Sequence, residues 1–282
     1  MLPKVIDIRL LGTCDLRCPF CFGPQHELAH PPIEKVKTLI SKFARLGVSR
    51  LVFTGGEPTL IKRLPELLAF SRQHGFMNVL SSNGIALARR VDEICEQIDW
   101  LGIPLDSSSR QTNSEMRAGN PKQYDVVLGL LTSLRLSHPR LKIKLGTVAS
   151  KINVGTIPTI LDLIVSRKPD VWKIYQVAAS GYAKENFEKL ELTDSEFEVL
   201  SAQLQMLCAA QGVNLVTRSR AHRTGSYLFM EPNGDAIAIG DRGEDIILGN
   251  FFASLDHVVE SWRGLVHEAE MLHNYNSTYP DE

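Results

Sequence analysis

Short β-branched, apolar segments alternate with helical patterns through residues 5–178 of the 282-residue chain. The strand candidates lie at 5–11, 50–55, 78–82, 100–106, 142–148 and 171–178. This repetition predicts βαβ units and a parallel sheet, and therefore an α/β fold. Six strands are too few for a complete eight-stranded barrel. The two candidates are a doubly wound open sheet and a partial (β/α)6 barrel, and in both the chemistry belongs beyond the carboxyl ends of the strands.

The pattern changes after residue 180. Residues 193–212 predict a helix that starts at a capping box formed by Thr193 and Glu196. A possible strand follows, then a β-hairpin with its turn at 232–234 and a closing helix. We therefore predict a partial barrel at 1–180 and a C-terminal α+β extension at 181–282, packed on the barrel.

Charge and hydropathy exclude several classes of protein. The net charge of -1 and the sequence pI of about 6.7 give no excess that indicates nucleic acid or a membrane surface. The first residues do not resemble a signal peptide, and no run approaches the ~18 apolar residues of a membrane helix. Five unevenly spaced cysteines argue against a disulfide framework. We expect a cytoplasmic protein that binds neither nucleic acid nor membrane.

Three of the five cysteines, Cys14, Cys18 and Cys21, follow the first predicted strand with the spacing C-x3-C-x2-C. A structural zinc site takes four ligands, and only His26 and His30 are near. A redox dithiol needs only the last two cysteines and leaves the first without a role. Three thiolates suit a [4Fe–4S] cluster with one iron open to a small molecule. A zinc site and a non-catalytic iron–sulfur protein remain the alternatives.

The pattern C-x3-C-x-aromatic-C after a first strand resembles the signature of the radical S-adenosylmethionine (SAM) superfamily. The resemblance implies that the three cysteines ligate a [4Fe–4S] cluster and that SAM chelates its fourth iron. It implies that one electron cleaves SAM to a 5′-deoxyadenosyl radical, which abstracts a hydrogen atom from the substrate. The electron donor is then expected to be of the flavodoxin or ferredoxin type.

Further segments resemble the SAM-binding motifs of that superfamily, and three of them close predicted strands. "FTGGEP" at 53–58 resembles the motif for the SAM amino group, "SSNG" at 81–84 could bind ribose hydroxyls, and "LDSSS" at 105–109 offers a hydroxyl. The arginine of "MRAGNP" could pair with the SAM carboxylate. The residues assigned to SAM in this way are Phe20, Gly55, Gly56, Glu57, Ser82, Asn83, Ser107 and Arg117. Each segment could also be a polar turn without a ligand.

Later segments resemble viperin and its microbial relatives, which dehydrate a nucleoside triphosphate (NTP) to its 3′-deoxy-3′,4′-didehydro form. The matching stretches include "KIKLGTVASKIN", "VWKIYQV" and "SYLFMEPNGDAIAI". By position, the nucleotide contacts of that family fall on Lys144, Lys173 and Tyr227. The resemblance therefore implies a triphosphate substrate, although either lysine could instead form a salt bridge with a loop carboxylate.

Two departures from the viperin pattern leave the substrate open. Val171 stands where that family has a basic residue, and Arg50 replaces a lysine. The basic run Arg218–Arg223 could hold phosphates or could be a solvated turn. The alternative is a radical SAM enzyme that modifies a peptide or another small metabolite.

The remaining cysteines and two aromatic residues are predicted to be core. Cys95 and Cys208 fall in apolar helical segments, so we predict a single cluster. Trp172 and Tyr175 are predicted to pack in the barrel. No histidine is assigned to a metal.

Overall fold

The computed structural model describes residues 3–24, 27–223, 227–240 and 244–265. His26, the side chain of Arg223 and the part of the predicted closing helix beyond 265 lie outside the described residues.

The described residues form ten strands and nine α-helices. The strands are β1 (Val5–Arg9), β2 (Arg50–Thr54), β3 (Met77–Ser81), β4 (Trp100–Pro104), β5 (Lys142–Ala149), β6 (Val171–Gln176), β7 (Leu215–Arg218), β8 (Leu228–Met230), β9 (Asp235–Ile239) and β10 (Asp245–Asn250). The helices are α1 (Ile33–Arg45), α2 (Leu64–Gln73), α3 (Val91–Cys95), α4 (Arg110–Met116), α5 (Gln123–Ser137), α6 (Ile160–Ile164), α7 (Ala183–Leu190), α8 (Asp194–Gln211) and α9 (Leu255–Arg263).

The strand order decides between the two predicted architectures. Strands β1 to β7 are parallel, and each pairs with the next along the chain. A doubly wound sheet reverses its order at a switch point. This sheet does not reverse between β1 and β7, so it winds in one direction as a barrel wall does. The fold is α/β with a partial barrel, as predicted.

Residues after 180 extend this wall at both sides. Strand β7 pairs with β6, while β8 pairs in parallel with β1 and continues into the antiparallel strands β9 and β10. The predicted hairpin is confirmed, and so is the capping box of α8. Strand β10 and the pairing of β8 with β1 were not predicted. The domain boundary at 180 stays a prediction.

Alternation along the strands decides what faces the barrel interior. In β1, Ile6 and Ile8 lie in the hydrophobic core between sheet and helices. Asp7 and Arg9 alternate with them and therefore point to the opposite face. Burying charged side chains is costly unless they are paired. Because Asp7 and Arg9 are both buried on this face, the interior of the barrel contains charged groups that need partners.

Of the four residues predicted to be core, Cys95, Cys208 and Trp172 are buried, whereas Tyr175 is only partly buried. Cys95 and Cys208 both lie in the main hydrophobic cluster. Trp172 is fully buried, and its indole Nε1 donates a hydrogen bond to Thr147 Oγ1 at 2.9 Å. No helix in the described ranges has the length and apolar character needed to cross a membrane.

Candidate active site

The loop after β1 carries the three clustered cysteines, and each sulfur receives a hydrogen bond. The backbone N–H of Leu16 donates to Cys14 Sγ at 3.4 Å, and that of Gly23 donates to Cys21 Sγ at 3.3 Å. Arg117 Nη1 donates to Cys18 Sγ at 3.8 Å. Donors of this kind stabilise thiolates, and hydrogen bonds to cysteine sulfur tune iron–sulfur clusters. The local geometry therefore suits metal-bound sulfur.

The burial of these thiols fits sulfur that is bound to metal. Burial raises the pKa of Cys14 to about 12 and that of Cys18 to about 11, so neither ionises at neutral pH without a bound cation. Among the described residues, no three His, Cys, Asp or Glu side chains are arranged to hold one metal ion. A cubane requires only one thiolate for each of three separate irons. Cys14, Cys18 and Cys21 are the residues that would hold it.

Two glycines let the loop after β2 lie against the cysteine loop. Gly55 has a φ of 136°, and a Cβ built there would come within 2.5 Å of the carbonyl oxygen of Leu11. A Cβ on Gly56 would collide with the carbonyl oxygen of Thr13. The backbone N–H of Gly56 instead donates a hydrogen bond to the carbonyl oxygen of Leu11 at 2.6 Å. The structure thus gives these glycines a role in holding the cysteine loop, and their contact with SAM stays a prediction.

Glu57 is fully buried and accepts hydrogen bonds from several donors. Its Oε1 accepts from the amide and the hydroxyl of Thr59 and from the hydroxyl of Ser82, and its Oε2 accepts from the amide of Asn83 at 2.7 Å. Burial raises the pKa of this carboxyl group, and the hydrogen bonds oppose that shift. The carboxylate therefore ties the loops after β2 and β3 together. Its predicted bond to the SAM amino group would have to compete with these contacts.

Asn83 points from this network toward the cysteines. Its Nδ2 donates to Asp15 Oδ1 at 2.5 Å and lies 3.7 Å from Cys14 Sγ. Sequence reasoning missed Asp15, although an acidic residue inside the cysteine motif was a visible signal. Ser82, Asn83 and the cysteine loop are thus brought together by bonds within the protein, and the contact of Ser82 and Asn83 with SAM stays a prediction.

Ser107 and Arg117 also have protein partners. Ser107 is fully buried, and its hydroxyl donates to Thr156 Oγ1 at 2.8 Å. Arg117 forms an ion pair with the buried Asp106 at 2.5 Å, and its guanidinium lies 4.9 Å from the centre of the Phe20 ring. Phe20, Arg117 and Cys18 therefore meet at one place, whereas Ser107 faces α6 and the segment before it.

A cavity of about 230 Å³ lies beside the cysteine loop inside the barrel. The predicted substrate residues Lys144, Lys173 and Tyr227 all line it, and so does Phe20. Arg218 from β7 and Asp7 from β1 both line it, although β1 and β7 are far apart in the sheet order. The sheet is therefore curved, so that β1 and β7 face the same cavity.

A glycine makes room for one of the lysines. The side chain of Lys144 lies across Gly102, where a Cβ would be 3.0 Å from Lys144 Cε. Lys173 is 3% exposed, and its ammonium lies 4.9 Å from the centre of the Tyr175 ring. Burial lowers the pKa of Lys173 well below its usual value, Lys144 and Arg218 lower it further, and Asp7 raises it.

Several predictions around the cavity need correction or refinement. Tyr175, predicted to be packing, lines the cavity, while Val171 is buried without lining it. Within the basic run, Arg218 and His222 line the cavity, but Arg220 pairs with Asp194 at 2.9 Å. Sequence reasoning missed Asp7 and Gln176, which line the cavity, and Gly102, which lies opposite Lys144 in the pairing of β4 with β5. Strand pairing and sheet curvature decide these positions, and neither is visible in the local pattern.

The sequence profile described as the radical SAM superfamily matches residues 8–162. The chain belongs to the radical SAM superfamily. Enzymes of this superfamily use a [4Fe–4S] cluster and SAM, and the cysteine loop fits that cluster.

Known proteins resemble this chain in sequence and in fold. A protein of Lacinutrix mariniflava named S-adenosylmethionine-dependent nucleotide dehydratase is 26% identical over 81% of this chain, which spans only 49% of that relative. A protein of the same name from Flammeovirga pacifica is 24% identical over 96% of this chain and 91% of its own length. The crystal structure of Streptococcus suis SuiB bound to SAM matches with a TM-score of 0.72 and 17% identity, over 92% of this chain and 66% of SuiB. That likeness shows the fold.

Proposed function

We propose that this radical SAM enzyme abstracts a hydrogen atom from a nucleoside triphosphate and dehydrates it to the 3′-deoxy-3′,4′-didehydro nucleotide. The observation that carries the proposal is the cavity beside the cysteine loop, whose lining includes two lysines and an arginine. The names of the Lacinutrix and Flammeovirga relatives support it.

The charge of the cavity favours an anionic substrate. Lys144, Lys173, Arg218 and His222 line it, and Asp7 is the single carboxylate in the described lining. Lysines 9% and 3% exposed are costly to keep charged unless an anion is near. A triphosphate supplies several negative charges and hydrogen-bond acceptors for the two lysines and Arg218. Arg218 supplies a positive charge in the lining, whereas Val171, at the position of the basic residue in the viperin pattern, supplies none.

The residues around the cysteines supply the rest of the chemistry. A [4Fe–4S] cluster held by Cys14, Cys18 and Cys21 would supply the electron for cleavage of SAM to the 5′-deoxyadenosyl radical. Phe20 lines the cavity and lies against Arg117, so the aromatic residue of the cysteine motif separates the predicted SAM side from the substrate side. Tyr227 and Phe229 close the cavity from the hairpin, which helps to exclude water.

Anaerobic reconstitution with iron, sulfide, SAM and dithionite tests the proposal. Each of the four common NTPs is added separately, and dithionite replaces the predicted flavodoxin-type or ferredoxin-type donor. We expect one NTP to stimulate 5′-deoxyadenosine formation and to yield a nucleotide lighter by one water, detected by mass spectrometry. A Cys14→Ala variant is the negative control. If no NTP stimulates SAM cleavage, the substrate assignment is wrong while the radical SAM assignment stands.

A second candidate is modification of a peptide or another small metabolite. Val171 favours it, because the viperin pattern has a basic residue at this position and valine cannot pair with a phosphate. Nucleotide titration at two salt concentrations separates the candidates. Tight binding that weakens steeply with salt supports the NTP, and no binding at either concentration supports the second candidate.

A further inference from the structure

A buried ion pair joins the start of the barrel to the C-terminal hairpin. Arg9, at the end of β1, pairs with Glu231, which follows β8 and begins the hairpin turn. The two residues are 222 positions apart, and they are 5% and 6% exposed. Arg9 is also the last residue of the strand that leads into the cysteine loop.

The guanidinium of Arg9 packs against two aromatic rings. Its central carbon lies 4.4 Å from the ring centre of Phe22 and 4.0 Å from that of Phe229. The rings of Phe22 and Phe229 meet edge to face at 5.4 Å, and Tyr227 stacks on Phe229 at 5.5 Å. We call this set of four side chains, Phe22, Arg9, Phe229 and Tyr227, the arginine stack.

The arginine stack connects the two functional halves of the site. At one end Phe22 directly follows Cys21, and at the other end Tyr227 is a predicted substrate contact. All three rings of the stack line the cavity. A displacement of Arg9 would therefore move the cysteine loop and the hairpin relative to each other.

The pair is poorly suited to supplying stability alone. Arg9 Nη2 and Glu231 Oε2 are buried and have no hydrogen-bond partner among the described residues. An incompletely satisfied buried ion pair is often no more stable than apolar residues of the same size. A planar guanidinium packed against two rings that also contact each other does fix an angle and a distance, which a lysine cannot reproduce.

We propose that Arg9 is a positioning residue that holds the cysteine loop and the Tyr227 hairpin in fixed relation, so that cleavage of SAM stays coupled to hydrogen abstraction from the substrate. This inference rests on the proposed function. The reacting carbon of SAM and the hydrogen-bearing carbon of the substrate must be held close together, and a small misplacement slows the transfer. SAM cleaved without such a transfer appears as 5′-deoxyadenosine without product.

The coupling ratio, 5′-deoxyadenosine formed per dehydrated nucleotide, tests the proposal in reconstituted Arg9→Lys, Arg9→Met and Glu231→Gln enzymes. We expect all three to bind iron as the wild type does and the ratio to rise, by about tenfold in Arg9→Met. Arg135→Lys is the matched control, because Arg135 pairs with Asp170 away from the cavity. Its ratio should equal that of the wild type.

Hydrogen–deuterium exchange provides a readout that needs no substrate. In Arg9→Lys and Glu231→Gln, we expect the cysteine loop and the hairpin to lose protection together, whereas Arg135→Lys leaves both unchanged. Variants with a wild-type coupling ratio, or with protection lost in only one of the two segments, would overturn the inference. If the wild type forms no product from any NTP, the proposed function fails, and the exchange experiment still decides whether Arg9 joins the two segments.

Discussion

We call the cysteine loop with Glu57, Asn83 and Arg117 the cofactor side of this site, and the cavity lined by Lys144, Lys173 and Arg218 the cavity side. The two sides differ in how their charged groups are arranged. On the cofactor side, protein groups bond to one another: Glu57 accepts from Thr59, Ser82 and Asn83, and Arg117 pairs with Asp106. On the cavity side, cationic side chains outnumber carboxylates in the described lining. The first arrangement fixes geometry before any ligand binds, and the second concentrates charge of one sign.

The difference explains why the two sides should respond differently to substitution. A preorganised network loses its shape when one acceptor changes, because several donors are stranded at once. A cationic cavity keeps its shape when one lysine changes but binds an anion less tightly. The variants below test that distinction, in order of decreasing expected effect.

Removal of any one of the three loop cysteines should abolish the cluster. Ala at Cys14, Cys18 or Cys21 leaves two thiolates for a cubane, and we expect iron content near zero with loss of the visible charge-transfer absorption. Cys95→Ala and Cys208→Ala are matched controls, since both residues lie in the core. Full iron content in Cys14→Ala would refute the assignment of the cofactor side.

Lys173→Met should weaken nucleotide binding by about 100-fold, in line with removal of one partner of a buried charge pair. The fold should persist, because Lys173 faces a cavity and not the packed core. Isothermal titration with the preferred NTP measures the loss, and Lys189→Met on the exposed face of α7 serves as the control. Unchanged affinity in Lys173→Met would remove the cavity side from nucleotide binding.

Glu57→Gln should lower the free energy of unfolding by about 1–3 kcal/mol. The substitution replaces one carboxylate oxygen by an NH2 group, which must then face a backbone N–H donor. The amides of Thr59 and Asn83 donate to opposite oxygens of Glu57, so either orientation of Gln leaves one contact broken. Urea denaturation of the anaerobic holoenzyme measures the change. A variant as stable as the wild type would mean that the network on the cofactor side is not the rigid element described above.

The stability of the nucleotide-free enzyme should depend on pH through Lys173. Its pKa in the folded protein lies well below 10.5, its usual value, so between the two values the unfolded chain binds a proton that the folded chain does not. Stability from this group is therefore complete above 10.5 and is lost as pH falls through the folded pKa, by at most about 1.4 kcal/mol per pH unit. Urea denaturation across this window should give a flatter profile for Lys173→Met.

Gly102→Ala should have the smallest effect, a loss of nucleotide affinity of about threefold to tenfold. The new Cβ would press on Lys144 Cε, which can shift because it is the end of a flexible side chain. Gly129→Ala in α5 is the control, since no atom lies within 4 Å of a Cβ built there. Equal affinities for both variants would show that the position of Lys144 is not critical.

Much of the fold could be predicted from local pattern. The six predicted strands, the α8 capping box and the hairpin turn at 232–234 were visible because each depends on neighbouring residues. Strand order was not visible, since hydrophobic periodicity does not say which strands pair. The short strand β8 beside β1 could not be foreseen for the same reason.

The sequence alone predicted the chemistry: three cysteines at a set spacing after a strand suit an iron–sulfur cluster, and their pattern resembles the radical SAM signature. Tertiary structure decided which groups share a space. The curl of the sheet brought Asp7 and Arg218 to the same cavity, and the pairing of β1 with β8 placed Glu231 beside Arg9. Such contacts join distant parts of the chain, so they depend on packing and are not encoded in any local motif.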